Sequence, residues 1–285
     1  MLRLSGGFMT IVARNRFFMG GIIFASISLC LAAAGGYFAF SSFQNVAEAA
    51  ALRSRGVMQI IAVRLAEPSA FVPFWAILGL LAYSLISIIM IYYFFENTQA
   101  PEILFFAFFA VSNSFEFLRL LLPLKEIFNF PAVYLMTASR ILLFGRYFGL
   151  FSLFAAGVYA AGLDAQKQRG VLLMLIVAAL YIAISVPVDS LAWDSAFLLL
   201  SGYSVMFAMA GTGIMVVTVI TFFISAYIRG SRNYITIGFG VFMALTGRNI
   251  LFNSDNWITP VPGLLLLAIG TWFICTRLHR HYLWL

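Results

Sequence analysis

Apolar runs of roughly 20 residues recur along the whole sequence, and they constrain its fold more than any other feature. As a helix, each run is long enough to cross the ~30 Å hydrocarbon core of a bilayer. Only 9% of the 285 residues are charged, against roughly 25% in a soluble globular domain. Because a bilayer offers no water to bond the backbone, such runs fold as helices that satisfy their own hydrogen bonds. The sequence predicts an all-α polytopic membrane helix bundle.

We expect about eight transmembrane helices. The first is predicted near residues 17–40, and the others near 73–94, 102–122, 132–160, 170–188, 196–228, 233–252 and 260–277. Residues 1–72 would form an N-terminal transmembrane helix with an external helical segment, and residues 73–285 a seven-helix core. A secretory signal peptide is the competing interpretation of the first run, because LAAAGG resembles a cleavage site. We expect a retained helix instead.

The basic residues are scattered at the ends of apolar runs, as the positive-inside rule predicts. With the N-terminus inside, the later external loops carry Asp189, Asp194 and Asp255. The segments predicted to be cytoplasmic then carry Arg3, Arg14, Arg16, Lys167, Arg169, Arg229, Arg232, Arg277 and Arg280. Only the segment 41–70, with three arginines outside, departs from this pattern. We expect a protein of a bacterial inner membrane, with both termini in the cytoplasm. We expect no nucleic-acid binding.

The third apolar run, FFAVSNSFEFLRLLL, carries three polar residues, Asn113, Glu116 and Arg119. On an α-helix, Asn113 and Glu116 lie about 60° apart, and Glu116 and Arg119 are neighbours one turn apart. An ionisable group in hydrocarbon costs roughly 2.5–3.5 kcal/mol, so such groups normally turn inward and find partners. The third run is therefore expected to be surrounded by other helices.

Further arginines lie in other runs. Arg140 would lie ~12 Å below the outer surface and share a helix face with Phe144 and Tyr147, whereas Arg146 points about 120° away from Arg140. Arg248 lies near the outer end of the seventh run. In one interpretation Glu116 pairs with Arg140 or Arg119, and the other arginines reach headgroups or helix ends.

In a second interpretation, the surplus positive charge forms an outward-opening cavity for a carboxylate or phosphate, which guanidinium groups bind bidentately. An ion or proton path is a third. The candidate ligand-binding residues are Glu116, Arg119, Arg140 and Arg248, with polar support from Asn113 and Tyr147.

Glycines in the later runs predict close helix contacts, because a missing side chain lets backbones approach. Those of the sixth run are Gly202, Gly211 and Gly213, and those of the seventh are Gly238, Gly240 and Gly247.

Catalytic groups are scarce in the predicted helices. The two histidines, His279 and His281, lie beyond the last run, and Lys125 and Lys167 lie in loops. A metal site, a haem or a retinal Schiff base would need such groups within the helices. We expect no metal, no cofactor and no enzymatic activity.

Residues 73–285 resemble the seven-transmembrane module of bacterial receptors with diverse intracellular signalling domains. The similarity lies in the layout of FLRLLLPLKEIFNFP, ASRILLFGRYFGLF, YIRGSRNYITIGFGVFMALTGRNILF and PVPGLLLLAIGTWFICTRLHRHY. The stretch Arg229 to Tyr234 matches the short basic turn before the penultimate helix of that family. The family usually carries an extracellular sensor and a cytoplasmic output domain, and this chain is expected to have neither. The resemblance implies a sensing or scaffold module whose output comes from a partner chain.

We expect a non-enzymatic, receptor-like or accessory subunit that binds an anionic or lipidic ligand from the outer side. Its partners would be membrane lipids and either a membrane or cytoplasmic protein or further copies of itself. A transporter or channel subunit is the alternative, which repeated halves or broken helices would indicate. A lipid-modifying enzyme is disfavoured by the missing catalytic groups.

Overall fold

The computed structural model of the protein describes residues 11–53, 69, 71–95, 98, 100–188, 193–194, 196–199 and 202–283. Within these ranges the side chains of residues 11, 39–53, 126–127, 204 and 281–283 are not described. Arg3, Asp189 and residues 54–68 of the expected external segment lie outside the described residues.

Nine α-helices form almost all of the described chain. They are α1 (Ile11–Arg53), α2 (Phe71–Phe94), α3 (Pro101–Ser112), α4 (Leu121–Phe128), α5 (Ala132–Ala160), α6 (Gln168–Ser185), α7 (Ser204–Arg229), α8 (Arg232–Phe252) and α9 (Pro260–Leu283). A 3₁₀ helix, Asn113–Leu120, joins α3 to α4, so these three elements form one span, Pro101–Lys125. Eight helical segments of the described chain are long and apolar enough to cross a membrane, which confirms the predicted fold class.

The third span, Pro101–Lys125, lies at the centre of the bundle. Of its most apolar 18-residue stretch, 78% is buried, the largest share among the eight spans found in the described chain. It packs against α1, α2 and α5. This central position follows from its sequence, because its charged and amide side chains need protein neighbours rather than lipid.

The other helices pack around the third span in two groups. Helices α8 and α9 form an extensive face-to-face pair that also contacts α2. Helices α6 and α7 both pack on α5, but they make at most a marginal contact with each other, and α7 continues the bundle to α8. Helix α7 is the least buried span, at 11%, so its sides border open clefts.

The glycines expected at helix contacts fall into two classes. In α8, a Cβ at Gly247 would lie 2.6 Å from the backbone oxygen of Gly263 and from the backbone nitrogen of Leu267. Gly240 faces Gly270 in the same way, so the expected role of α8 glycines in close packing is confirmed there. In α7 the expectation is wrong, because a Cβ at Gly211 or Gly213 would meet no other heavy atom within 4 Å.

The sixth span begins later than predicted. Helix α7 starts at Ser204, after Gly202 and Tyr203, and the φ of Tyr203 is 55°. A left-handed residue cannot lie inside an α-helix, so the residues before it belong to the connection from α6. Part of this connection, residues 193–194 and 196–199, folds back onto the bundle, with Ala196 and Phe197 almost fully buried.

Candidate functional site

A buried carboxylate, Glu116, organises the charged groups in the centre of the bundle. Nε and Nη2 of Arg146 donate to Oε1 and Oε2 of Glu116 at 2.7 and 2.8 Å. Nη1 of Arg119 donates to Oε2 at 3.2 Å. Both Glu116 and Arg119 are 1% exposed. The bidentate geometry of Arg146 is the strong form of the arginine–carboxylate pair, so Glu116 ties α5 to the third span.

The 3₁₀ geometry of Asn113–Leu120 brings the polar residues of the third span into line. In a 3₁₀ helix, side chains three residues apart eclipse each other, whereas an α-helix would offset them by about 60°. Asn113, Glu116 and Arg119 therefore stack along one face. Pro123 contributes to this local change, because it has no N–H to bond the carbonyl of Arg119 in an α-helical pattern.

Arg248 of α8 completes the cluster from the opposite side. Its Nε donates to Oδ1 of Asn113 at 2.8 Å, and its Nη2 donates to the backbone oxygen of Arg146 at 3.3 Å. The guanidinium groups of Arg248 and Arg146 lie 4.7 and 4.0 Å from the centre of the Phe252 ring. Nη1 of Arg248 is buried and has no hydrogen-bond partner in the described part of the chain. Burying a guanidinium nitrogen without a hydrogen-bond partner costs stability. The Arg248 guanidinium is therefore suited to donate a further hydrogen bond to an anion.

The connection between α6 and α7 covers Arg119. Nε and Nη2 of Arg119 both donate to the backbone oxygen of Ala196, with Nε at 3.0 Å. Oδ1 of Asp194 accepts from the backbone N–H groups of Ala196 and Leu198 at 3.0 and 2.8 Å, which fixes the turn. The hydrogen bonds of Arg119 are thus directed to the protein, and this residue is a structural member of the cluster.

A cavity of about 380 Å³ opens beside Arg146 and Arg248, which both line it. Its wall is formed by α5, α7 and α8 and by Asp194, Leu198 and Leu199 of the connection between α6 and α7. The lining is mostly apolar apart from the two guanidinium groups, Asp194, Tyr147, Thr212 and two asparagines. Tyr147 bridges the wall, since its hydroxyl donates to the backbone oxygen of Phe207 at 3.3 Å. A mostly apolar pocket with a few convergent polar groups is typical of a ligand site.

The structure brings five of the six predicted site residues together and leaves one out. Asn113, Glu116, Arg119 and Arg248 form the cluster, and Tyr147 lines the cavity. Of the two partners suggested for Glu116, Arg119 is confirmed and Arg140 is wrong, because Arg140 is exposed on α5 and does not pair with Glu116. Arg146 takes that role.

Arg140 and Arg146 were expected to point about 120° apart. Arg140 was the predicted site residue, but Arg146 is the one that faces the third span. Gly145 and Gly149 flank Arg146, and a side chain at either glycine would collide with the third span. This Gly-x-x-x-Gly spacing was the sequence signal that could have identified the inward face of α5.

A second buried carboxylate, Glu102, lies at the opposite end of the third span. Nη2 of Arg229 donates to its Oε1 at 3.2 Å, and the hydroxyl of Tyr234 donates at 3.4 Å. Arg229 also donates to the backbone oxygen of Tyr159. Glu102 therefore joins α3 to the ends of α7 and α8, and sequence reasoning missed this role because Glu102 stood at a span boundary.

The arrangement as a whole provides cationic groups, hydrogen-bond donors and an apolar cavity. Among the described residues, no group of three or more His, Cys, Asp or Glu side chains could hold a metal ion. Comparisons of the chain with protein-family models, with curated proteins and with solved structures gave no significant match.

Proposed function

We propose that this membrane protein is a non-enzymatic, receptor-like or accessory subunit that binds an anionic ligand in the cavity beside Arg146 and Arg248. The observation that carries the proposal is that Arg146 and Arg248 both line the cavity, while Nη1 of Arg248 has no hydrogen-bond partner in the described residues. A carboxylate bound in the cavity would accept charge-assisted hydrogen bonds from these guanidinium groups.

The charges around the cavity support a ligand with a single negative charge. The cavity is lined by Arg146, Arg248 and Asp194, and Glu116 and Arg119 pair behind it. Together these five side chains carry a net charge of +1. An uncompensated charge in a low-dielectric interior is unfavourable, so a monoanion would make the site neutral.

The position of the cavity supports access from the outer side. Its lining includes Asp194, in the connection between α6 and α7, and Asn253, in the connection between α8 and α9. The charge pattern places both connections outside. We further propose a bacterial inner membrane, cytoplasmic termini, and a signal that passes to a partner protein. The receptor resemblance of residues 73–285 supports this last point.

A transporter subunit is the second candidate, and one observation favours it. Transporter sites lie where membrane helices are interrupted, and the third span is interrupted by the 3₁₀ helix Asn113–Leu120 at the charged cluster. Uptake of labelled octanoate into protein-containing vesicles, faster than into empty vesicles, would favour transport over sensing.

The proposal is tested by binding of radiolabelled octanoate to the protein in phosphatidylcholine nanodiscs, with empty nanodiscs subtracted. Octanoate should bind saturably and resist displacement by octanol, which has the same chain without the charge. Gly211→Phe should abolish binding, because the phenyl group would fill the cavity that Gly211 lines. This variant should fold, since a Cβ at Gly211 meets no heavy atom within 4 Å.

The matched control is Gly170→Phe, at another open glycine that does not line the cavity. It should bind octanoate like the wild type. Full binding by Gly211→Phe, or equal displacement by octanol, would contradict the proposal.

A further inference from the structure

A second cavity adjoins the first and differs from it in chemistry. It has a volume of about 560 Å³ and lies between α5, α6 and α7. Its lining contains apolar side chains and one glycine, and it includes Phe151, Val158, Met174, Gly213 and Val217. The second cavity therefore offers no polar group for orienting a ligand, and only an aliphatic or aromatic body would suit it.

The two cavities are lined by neighbouring residues of α5 and α7. On α5, Leu150 lines the first cavity and Phe151 the second. On α7, Gly211 lines the first cavity and Ala210 the second. Helices α5 and α7 are joined on either side of this level: the hydroxyl of Tyr147 donates to the backbone oxygen of Phe207 at 3.3 Å, and Oγ of Ser225 donates to that of Gly157 at 3.0 Å. No heavy atom lies within 4 Å of a Cβ position at Gly211 or Gly213, so neither glycine of α7 is packed tightly against a neighbouring helix.

The second cavity is also open towards the membrane. Helices α6 and α7 leave a cleft because they make at most a marginal contact with each other. Met174 and Val217, which line the cavity from either side of this cleft, are 72% and 50% exposed. A molecule dissolved in the cytoplasmic half of the bilayer could therefore reach the site sideways, without crossing water.

We propose that the ligand is a long-chain fatty carboxylate, with its carboxylate on Arg248 and Arg146 and its alkyl chain in the cleft between α6 and α7. This inference rests on the proposed function, which needs only the charged end. The net charge of +1 around the first cavity matches one carboxylate. From Leu143 to Val158 of α5 the residues that line the two cavities extend over roughly 22 Å at 1.5 Å per residue, a length that suits a long alkyl chain.

The test uses hexadecanoic acid that carries a diazirine at its terminal carbon, added to the protein in phosphatidylcholine nanodiscs. After illumination, mass spectrometry of peptides identifies the labelled residues. The label should concentrate on the second cavity, in residues 151–158, 171–178 and 213–217. Unlabelled hexadecanoate should suppress it, and hexadecanol should not. Labelling spread evenly over lipid-facing helices such as α1 and α9 would overturn the proposal.

Gly213→Phe separates this inference from the proposed function. The phenyl group should obstruct the second cavity and reduce labelling about tenfold, as expected for overpacking, whereas octanoate should still bind in the first cavity. Gly170→Phe should label normally. If Gly211→Phe loses octanoate binding but Gly213→Phe is labelled normally, the anion site of the proposed function stands. The alkyl chain then does not lie in the second cavity, and this inference is wrong. Suppression by phosphatidylglycerol but not by hexadecanoate would assign the site to a two-chain lipid and overturn the inference.

Discussion

At the scale of single residues, Glu116 is the carboxylate that compensates the charges of the central arginines of the bundle. It accepts two hydrogen bonds from Arg146 and one from Arg119, and both Glu116 and Arg119 are fully enclosed by protein. A buried ion pair adds little stability compared with an apolar replacement, but removing one partner leaves a charge that nothing compensates. Glu116 is therefore the position at which one charge change should have the largest effect.

Glu116→Gln should lower the free energy of unfolding by about 3–5 kcal/mol, because it removes the counter-charge of the buried Arg119 and of the partly exposed Arg146. The measurement is the thermal unfolding of the purified protein in a mild detergent. Lys167→Gln removes an exposed charge and serves as the control, with an unchanged midpoint expected. Equal midpoints for both variants would show that the ion pairs contribute nothing to stability.

The residues of this cluster were only partly predictable from the sequence. The cost of charges in hydrocarbon was enough to predict that Asn113, Glu116 and Arg119 face inward. It could not decide between Arg140 and Arg146, because both lie in the same apolar run and either can reach a neighbour. The choice depends on which face of α5 carries the small residues Gly145 and Gly149.

At the scale of helices, glycine has opposite roles in α7 and α8. Gly247 allows α8 and α9 to approach until their backbones are in contact, whereas Gly211 borders an empty space. Both glycines occur in similar apolar surroundings in the sequence. Whether a glycine faces a helix or a cavity depends on packing with distant parts of the chain, so the sequence did not distinguish the two.

Gly247→Ala should destabilise the protein by about 1–3 kcal/mol or more, because the new methyl group meets backbone atoms that cannot move aside. Gly211→Ala should leave stability unchanged or raise it by up to ~1 kcal/mol through the higher helix propensity of alanine. Thermal unfolding of the two variants side by side measures the difference. The same loss in both would contradict the packing described for α8 and α9.

At the scale of the whole molecule, the number and positions of the spans followed from hydropathy alone. The eight spans fit the predicted runs to within a few residues at most ends. The largest difference is the start of α7, which the left-handed Tyr203 displaces to Ser204. The order in which helices pack was beyond prediction, because apolar faces carry little information about their neighbours in a bilayer.

Both termini should lie in the cytoplasm, since the segments that would then be inside carry most of the basic residues outside the spans. A green fluorescent protein fused after Leu285 should fluoresce in bacterial cells, and alkaline phosphatase at the same point should be inactive. Fusions at Ser254, in the connection between α8 and α9, should give the reverse pattern. Active phosphatase at Leu285 would invert the topology and place the arginine cavity on the cytoplasmic side.

The 3₁₀ helix of the third span also sets a length. Eight residues rise about 16 Å in a 3₁₀ helix but about 12 Å in an α-helix, so Asn113–Leu120 makes the span about 4 Å longer than an α-helix of the same sequence. Returning to α-helix would shorten the span and rotate Arg119 about 120° away from Asn113. The 3₁₀ geometry therefore sets both the length of the central span and the common face from which Glu116 meets Arg119 and Arg146.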